Sequence, residues 1–169
     1  MYYLNYFFIF STVGYLYETL YFMITKQTAN SGFLYGYWTP VYGIGAVLII
    51  YISKKVFKSL KINKFIEVII FLFIIFFVLT FIEFIGGHLL HFVFHKDFWN
   101  YTNYKYNLGK YISLEVSGIW ILFTLLFLYL IKPWMDKIIK KIPKVITYIL
   151  LILFIVDLTC TLIFKNKLI

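Results

Sequence analysis

Charged residues are scarce in this chain of 169 amino acids: they make up 14% of it, while hydrophobic residues make up 63%. Soluble domains carry about 25% charged and about 45–50% apolar residues, so the composition excludes a soluble globular protein and, still more firmly, a disordered one. Cysteine is nearly absent, and because Cys160 is the single cysteine, an intrachain disulfide is excluded. Arginine is absent altogether, since all 16 basic residues are lysine.

Long apolar runs are what the sequence has instead, and its mean hydropathy is +0.88. A helix of about 20 apolar residues crosses a bilayer. We therefore predict an all-α polytopic membrane protein with a single membrane-embedded domain over residues 1–169 and no room for a separate soluble catalytic domain. Its five predicted transmembrane helices cover residues 2–24, 40–53, 65–94, 112–131 and 145–164. The second is short for a full span, and the third is longer than the bilayer requires.

The net charge of +9 comes from lysines that lie in short tracts between the apolar runs. This placement is typical of anchors at a negatively charged membrane surface, so we expect membrane lipids and not nucleic acid as partners. The linkers 54–64 and 132–144 hold ten of the 16 lysines and lie on one side of the predicted topology. The positive-inside rule then predicts a cytoplasmic N-terminus and an external C-terminus. The linker 132–144 also has the pattern of a short amphipathic helix, which we expect to lie on the membrane.

Four of the acidic residues in the predicted spans fall in the half of the membrane opposite the basic linkers: Glu18, Glu83, Glu115 and Asp157. A charged acid at a helix centre costs about 2.5–3.5 kcal/mol on insertion scales, so each should face the bundle or water. Glu18 and Glu83 share their helix stripes with small residues, which allow close helix approach. For these two acids, an outward-facing cavity for a substrate or ion and plain interhelical hydrogen bonding both stay open. For Glu115 and Asp157, which lie nearer the helix ends, we favour the packing role.

Three histidines follow one helical face near the end of the third apolar run, as H-x2-H-x3-H over residues 88–95. Two histidines three positions apart can share a zinc ion, but the first and last of this set are about 10 Å apart along the helix axis. The pattern therefore favours polar residues at the point where the helix leaves the bilayer. We predict no metal site and no cofactor.

The two segments on the side opposite the basic linkers are rich in aromatic residues, glycine and asparagine. Residues 30–45 read N-S-G-F-L-Y-G-Y-W-T-P-V-Y-G-I-G, and residues 98–109 read F-W-N-Y-T-N-Y-K-Y-N-L-G. An aromatic belt at headgroup depth would explain the tryptophans and tyrosines. The interleaved glycines and asparagines instead indicate specific turns, which are tolerated at this depth only where protein or water satisfies the backbone. The positions that we assign to a structural motif are Gly14, Asn30, Gly32, Gly36, Pro40, Gly43, Gly87 and Gly109.

Several motifs of enzymes are missing from the sequence. The chain has no G-x-x-x-x-G-K-[ST], so it does not hydrolyse nucleotide through a P-loop of its own, and it has no G-x-S-x-G and no H-E-x-x-H. No nucleophile–base pair is visible in the spans, which makes a membrane-embedded hydrolase the third and least favoured interpretation. We predict that the chain is not an enzyme.

Four stretches in order carry a family resemblance. They are G-Y-L-Y-E-T at 14–19, N-S-G-F-L-Y-G-Y-W-T-P-V-Y-G-I-G-A at 30–46, F-I-E-F-I-G-G at 81–87 and F-W-N-Y-T-N-Y-K-Y-N-L-G at 98–109. Together they resemble the putative type IV ABC-transporter permease family, the CmpB-like integral membrane proteins of bacteria. Where that family usually has N-R-G and W-D-Y-S, this chain has Asn-Ser-Gly at 30–32 and Trp-Asn-Tyr-Thr at 99–102, so a charged pair is absent. The resemblance implies a permease component in the bacterial cytoplasmic membrane that works with a separate ATPase.

Two functions follow from these observations. The first is a transport permease subunit that moves an unknown substrate, is powered by a separately encoded ATPase and works as a homo- or hetero-oligomer. The second is a non-transporting membrane interaction or assembly protein whose external polar and aromatic loops bind a partner or lipid. The residues that we expect at the substrate site or cavity are Glu18, Glu83, Trp99, Asn100, Tyr101 and Asn107.

Overall fold

The computed structural model describes residues 1–25, 33–60 and 62–164, and the predicted motif positions Asn30 and Gly32 lie outside these ranges. The helices, in chain order, are α1 (Tyr2–Thr25), α2 (Pro40–Ser59), α3 (Lys64–Phe94), α4 (Leu114–Leu126), a π segment (Phe127–Ile131), α5 (Lys132–Ile139) and α6 (Lys144–Phe164). Two short strands, β1 (Asn107–Leu108) and β2 (Ile112–Ser113), precede α4.

Within these described ranges, five helices are long and apolar enough to cross a membrane, which confirms the predicted all-α polytopic class. The second helix ends at Ser59 and not near residue 53, so its 20 residues match a full span. The sequence-based boundary was too early because it stopped at the first lysines. Lysine is a good helix former, and its long side chain can carry the charge from a helical position to the water.

The fourth span is also longer than predicted, because α4, the π segment and α5 follow one another without a break from Leu114 to Ile139. Pro133 would normally interrupt such a helix, since it has no N–H and its ring crowds the preceding turn. Here the wider π turn comes just before it, with the Lys132 N–H donating to the Phe127 carbonyl. The predicted start at residue 112 is wrong as well, because Ile112 and Ser113 pair with β1.

The buried core lies toward the end of the bundle that carries the basic linkers, which we call the basic end. It joins α1, α2, α3, the π segment and α5 through ten buried side chains: Tyr6, Ala46, Ile49, Ile50, Phe71, Ile75, Leu79, Phe127, Met135 and Ile139. Met135 and Ile139 are the apolar face of the segment that we expected to lie on the membrane. That expectation is corrected: α5 packs its apolar face into the bundle, where Met135 and Ile139 are buried, because removing apolar side chains from water into a packed core is favourable.

Two further contacts tie the helices together. The backbones of α1 and α2 come very close at Gly43, whose Cα faces Ser11 and the carbonyl of Phe7. A buried hydrogen bond of 2.6 Å, donated by the Thr147 hydroxyl to Asn5 Oδ1, attaches α6 to α1.

The end of the bundle opposite the basic end is formed by the loops 33–39 and 95–113. We call it the loop end.

Candidate functional site

The four acids in the loop-end half of the predicted spans all contact residues of the loop end. Glu18 accepts a hydrogen bond from Thr39, Asp157 from the backbone of Tyr35 and Gly36, Glu83 from Tyr101, and Glu115 from the backbone of Tyr106. These partners are loop residues, so each acid joins a helix to a loop. The four differ in how completely their oxygens are satisfied.

Glu83 is the most deeply buried of these acids, with 5% of its surface exposed. Its Oε1 accepts two hydrogen bonds, one of 2.9 Å from Trp120 Nε1 on α4 and one of 3.2 Å from the Tyr101 hydroxyl. Its Oε2 is also buried, but it has no hydrogen-bond partner within the described part of the chain. A buried polar atom without a partner is expensive, and in a membrane span it marks a candidate contact for a proton, an ion or a ligand.

Glu18 belongs to the same group of side chains, although it comes from a different helix. Its Oε2 lies 3.4 Å from the Thr39 hydroxyl, and Tyr42 on α2 lies within electrostatic range of its carboxylate. The Tyr42 ring contacts the Trp120 ring edge to face, with 5.4 Å between their centroids. Tyr101, which donates to Glu83, is also within electrostatic range of Glu18. We call these five residues the acidic–aromatic cluster: Glu18, Tyr42, Glu83, Tyr101 and Trp120.

Small residues let the aromatic rings approach this cluster. Gly14 on α1 faces the Tyr42 ring, and Gly87 on α3 faces the Tyr111 ring, so closely that neither position leaves room for a Cβ. Trp99 packs beside them, with its ring 3.4 Å from the position that a Cβ on Gly86 would take. The indole Nε1 of Trp99 is buried, and among the described residues it too lacks a hydrogen-bond partner. The region between α3 and the loop 95–113 therefore holds a donor and an acceptor that both lack a partner in the part of the chain that the structure describes.

Asp157 has a different environment, because its two oxygens are used by the loop 33–39. Oδ1 accepts from the Tyr35 amide at 3.0 Å, and Oδ2 accepts from the Gly36 amide at 2.8 Å and from the Trp38 indole. A Cβ on Gly36 would collide with Asp157 and Trp38, which explains the glycine at this position. Asp157 therefore holds the α1–α2 loop against α6.

Removing this carboxylate should release the loop. We expect Asp157→Ala to leave three donors at Tyr35, Gly36 and Trp38 without their acceptor, at about 1–3 kcal/mol for each one that stays buried. The measurement is hydrogen–deuterium exchange of the peptide containing residues 33–39, which should speed up. Thr159→Ala is the matched control, because Thr159 lies on α6 and its hydroxyl donates within the same helix, to the Ile155 carbonyl. Equal protection in both variants would contradict a holding role for Asp157.

Glu115 holds the other loop in the same way. Its Oε1 accepts from the Tyr106 amide at 3.0 Å, and its Oε2 accepts from the Ser113 hydroxyl at 2.6 Å. The adjoining hairpin pairs Asn107 with Ser113 and Leu108 with Ile112. Gly109 follows β1 with φ of +71°, a left-handed conformation that glycine adopts without strain.

Two of the three histidines have local hydrogen-bond partners. His88 Nδ1 lies 2.9 Å from the Phe84 carbonyl, and His91 Nδ1 lies 2.9 Å from Asp97 Oδ1. Asp97 also forms an ion pair of 2.7 Å with Lys110 and accepts from the Tyr111 hydroxyl. The hydrogen bond from Lys110 is the main reason that the pKa of Asp97 is lowered to about 2, with Tyr111 next. No group of three or more His, Cys, Asp or Glu side chains in the described ranges could hold a metal ion.

The remaining predicted site residues are used within the loop 95–113. The side-chain oxygen of Asn100 accepts from the Thr102 amide at 2.9 Å. The Asn107 amide donates to the carbonyls of Thr102 and Tyr104, at 3.0 and 2.7 Å. These bonds are typical of turns, in which an asparagine side chain takes the place of backbone partners. The structure thus brings Glu18, Glu83 and Tyr101 together, places Trp99 beside them, and gives the two asparagines turn contacts.

Sequence reasoning missed Tyr42 and Trp120, which complete the cluster. Tyr42 lies in the aromatic stretch 30–45, where a belt at headgroup depth would explain it equally well. Trp120 did carry a signal, because it lies seven positions into α4 and so away from the depth where such a belt is expected. A buried indole N–H also needs an acceptor, and acids are rare in spans.

A family model described as Putative ABC-transporter type IV matches residues 5–162, which is nearly the whole chain. The match covers both loops of the loop end and all five residues of the acidic–aromatic cluster. No curated protein and no solved structure matches the chain.

Proposed function

We propose, because the chain belongs to the family described as Putative ABC-transporter type IV, that it is the permease subunit of a transporter whose ATPase is a separate chain. The family match over residues 5–162 is the observation that carries this proposal. The composition agrees with it, since the chain is a multi-pass membrane protein without a P-loop motif. Energy from ATP would then have to come from a partner.

The acidic–aromatic cluster is the proposed contact for the transported substrate. Glu83 supports this role best, because one of its buried oxygens has no partner in the described ranges and the other is already held by Tyr101 and Trp120. An atom in that position can accept from a polar or cationic ligand without first breaking a protein hydrogen bond. Glu18, Trp99, Asn100 and Asn107 stay proposed members of the site or of the loop that covers it.

A pathway across the membrane requires helices on all sides, and five helices whose core is already closed leave little room for one. We therefore propose that two copies, or this chain and a homologous partner, form the pathway together. The ATPase would reach the chain at the basic end, near the ends of α2 and α5. There α5 keeps Ile138 37% exposed, whereas its neighbour Ile139 is 4% exposed and belongs to the core.

Purification from native membranes tests the subunit role directly. The tagged chain, extracted in mild detergent, should retain an ATPase with a P-loop motif, identified by mass spectrometry. Ile138→Ser should lower the amount of ATPase retained, because it removes an exposed apolar contact and leaves the core intact. Leu108→Ser is the matched control, since Leu108 is 73% exposed at the opposite end. A functional monomer with no associated ATPase would refute the proposal and favour the assembly-protein alternative.

The orientation that this proposal requires places the basic end in the cytoplasm. A cysteine at Asn103, in a Cys160→Ser background, should react with an impermeant maleimide in intact cells, because Asn103 is exposed at the loop end. A cysteine at Lys140 should react only after permeabilisation. The reverse pattern would contradict the predicted topology.

One observation supports the second function, a membrane interaction or assembly protein. The loop end presents large exposed side chains, with exposed fractions of 73% for Tyr37, 56% for Tyr106 and 73% for Leu108. Such a surface suits a protein partner or the lipid interface. Under this alternative, Leu108→Ser would weaken partner capture and Ile138→Ser would not.

A further inference from the structure

A groove of about 320 Å³ opens at the basic end, between the last turns of α2 and the π segment with the start of α5. Ser53, Lys54 and Phe57 line it from α2, and Leu128, Tyr129 and Lys132 line it from the other side. It lies at the opposite end of the bundle from the acidic–aromatic cluster. Neither proposed function makes use of it.

The two lysines of this groove are held in place by other side chains. The Lys54 ammonium lies 4.3 Å from the centre of the Tyr2 ring and 5.1 Å from that of Tyr3. The Lys132 ammonium donates to Asp136 Oδ2 at 2.6 Å, and 20% of the Lys132 side chain is exposed. Both ammonium groups therefore have protein contacts before any ligand arrives, and such preorganisation reduces the entropy that binding costs.

Asp136 connects the two lysines to α1. Its Oδ1 accepts from the Tyr2 hydroxyl at 2.6 Å and from the Tyr6 hydroxyl at 2.8 Å. Tyr2 thus contacts Lys54 with its ring and Asp136 with its hydroxyl. Two ammonium groups and one carboxylate leave this group of residues with one net positive charge, which matches one phosphodiester.

The π segment shapes the wall of the groove. Its Phe127–Ile131 turn is wider than an α turn, and such bulges occur often at functional sites. Phe57 and Tyr129 border the lysines and are 38% and 56% exposed. Charge and exposed apolar surface lie side by side here, as the headgroup and acyl chains of a lipid require.

We infer that this groove binds an anionic phospholipid, with its phosphate between Lys54 and Lys132 and its acyl chains along Phe57, Leu128 and Tyr129. Basic pockets between transmembrane helices are suited to anionic headgroups, and each lysine near such a surface contributes about 1 kcal/mol. A free phosphate would satisfy the two lysines but would leave the apolar border uncovered. The lipid would join α2 to the π segment at the end where a partner ATPase is proposed, but its binding does not depend on that role.

The experiment follows thermal unfolding of the delipidated protein in detergent as phosphatidylglycerol, phosphatidylcholine or glycerol phosphate is added. Phosphatidylglycerol should raise the unfolding midpoint far more than the other two. Lys54→Gln should weaken the apparent affinity roughly fivefold, which corresponds to the loss of one lysine. Lys58→Gln is the matched control, because Lys58 lies on the same helix, is exposed, and does not line the groove.

Native mass spectrometry of the wild-type protein gives a second readout that needs no variant. From mixed phosphatidylglycerol and phosphatidylcholine micelles, the protein should retain phosphatidylglycerol preferentially. Equal effects of the two lipids, or equal losses in Lys54→Gln and Lys58→Gln, would overturn the inference. Stabilisation by glycerol phosphate that matches stabilisation by phosphatidylglycerol would assign the groove to a soluble anion and would also overturn it.

Discussion

Replacing Gly43 by alanine should give one of the largest losses of stability available to a single methyl group in this protein. The added Cβ would lie well inside van der Waals distance of the Ser11 hydroxyl and the Phe7 carbonyl oxygen. The carbonyl oxygen belongs to the α1 backbone and cannot rotate away as a flexible side chain can. The helices α1 and α2 would have to separate, and overpacking of this kind costs about 1–3 kcal/mol or more.

Gly118→Ala is the matched control for this prediction. Gly118 also lies in a transmembrane helix, but among the described residues no heavy atom beyond its own stretch of helix lies within 4 Å of the place that a Cβ would take. Alanine should therefore be neutral or stabilise the helix by up to about 1 kcal/mol, the usual difference in helix propensity. The unfolding midpoint in detergent, followed by the fluorescence of the four tryptophans, measures both variants. Similar midpoints for the two would show that α1 and α2 do not pack as described.

Substitutions of Glu83 should distinguish a role of this side chain in stability from a role in transport. In Glu83→Gln, the amide oxygen can still accept from Trp120 and Tyr101, so the protein should fold and unfold almost as the wild type does. The carboxyl group is lost, however, and the oxygen without a partner in the described ranges is replaced by an amide donor. If Oε2 contacts the substrate, most of the transport-coupled ATP hydrolysis of the purified complex in liposomes should disappear.

Glu83→Ala should instead damage the fold. It removes the acceptor of two donors, at about 1–3 kcal/mol for each donor that stays buried, and it also leaves a cavity.

Glu67→Gln is the matched control for Glu83→Gln, since Glu67 lies in the first turn of the same helix at the basic end. Glu18→Gln tests the second acid of the cluster. Wild-type hydrolysis in both Glu18→Gln and Glu83→Gln would mean that these acids only hold the bundle together.

The class of the protein and the number of its spans could be predicted from the sequence, because apolar runs of sufficient length leave the backbone no alternative to helix in a bilayer. The positions of the helix ends could not be predicted in this way. Hydropathy marks where the chain leaves the membrane, whereas α2 continues to Ser59 and α5 to Ile139 beyond their first lysines. The extension of α5 depends on packing, as Ile139 shows by its place in the core.

The candidate site was predictable only in part, for a related reason. The sequence by itself predicted that Glu18, Glu83, Glu115 and Asp157 lie within spans and face away from lipid, because a charge in hydrocarbon is costly. Only the tertiary structure decided that Asp157 and Glu115 hold loops while Glu83 keeps one buried oxygen without a partner in the described ranges. The donors that satisfy each acid come from other helices and loops, and close approach at small residues such as Gly14 and Gly43 is what brings them within reach.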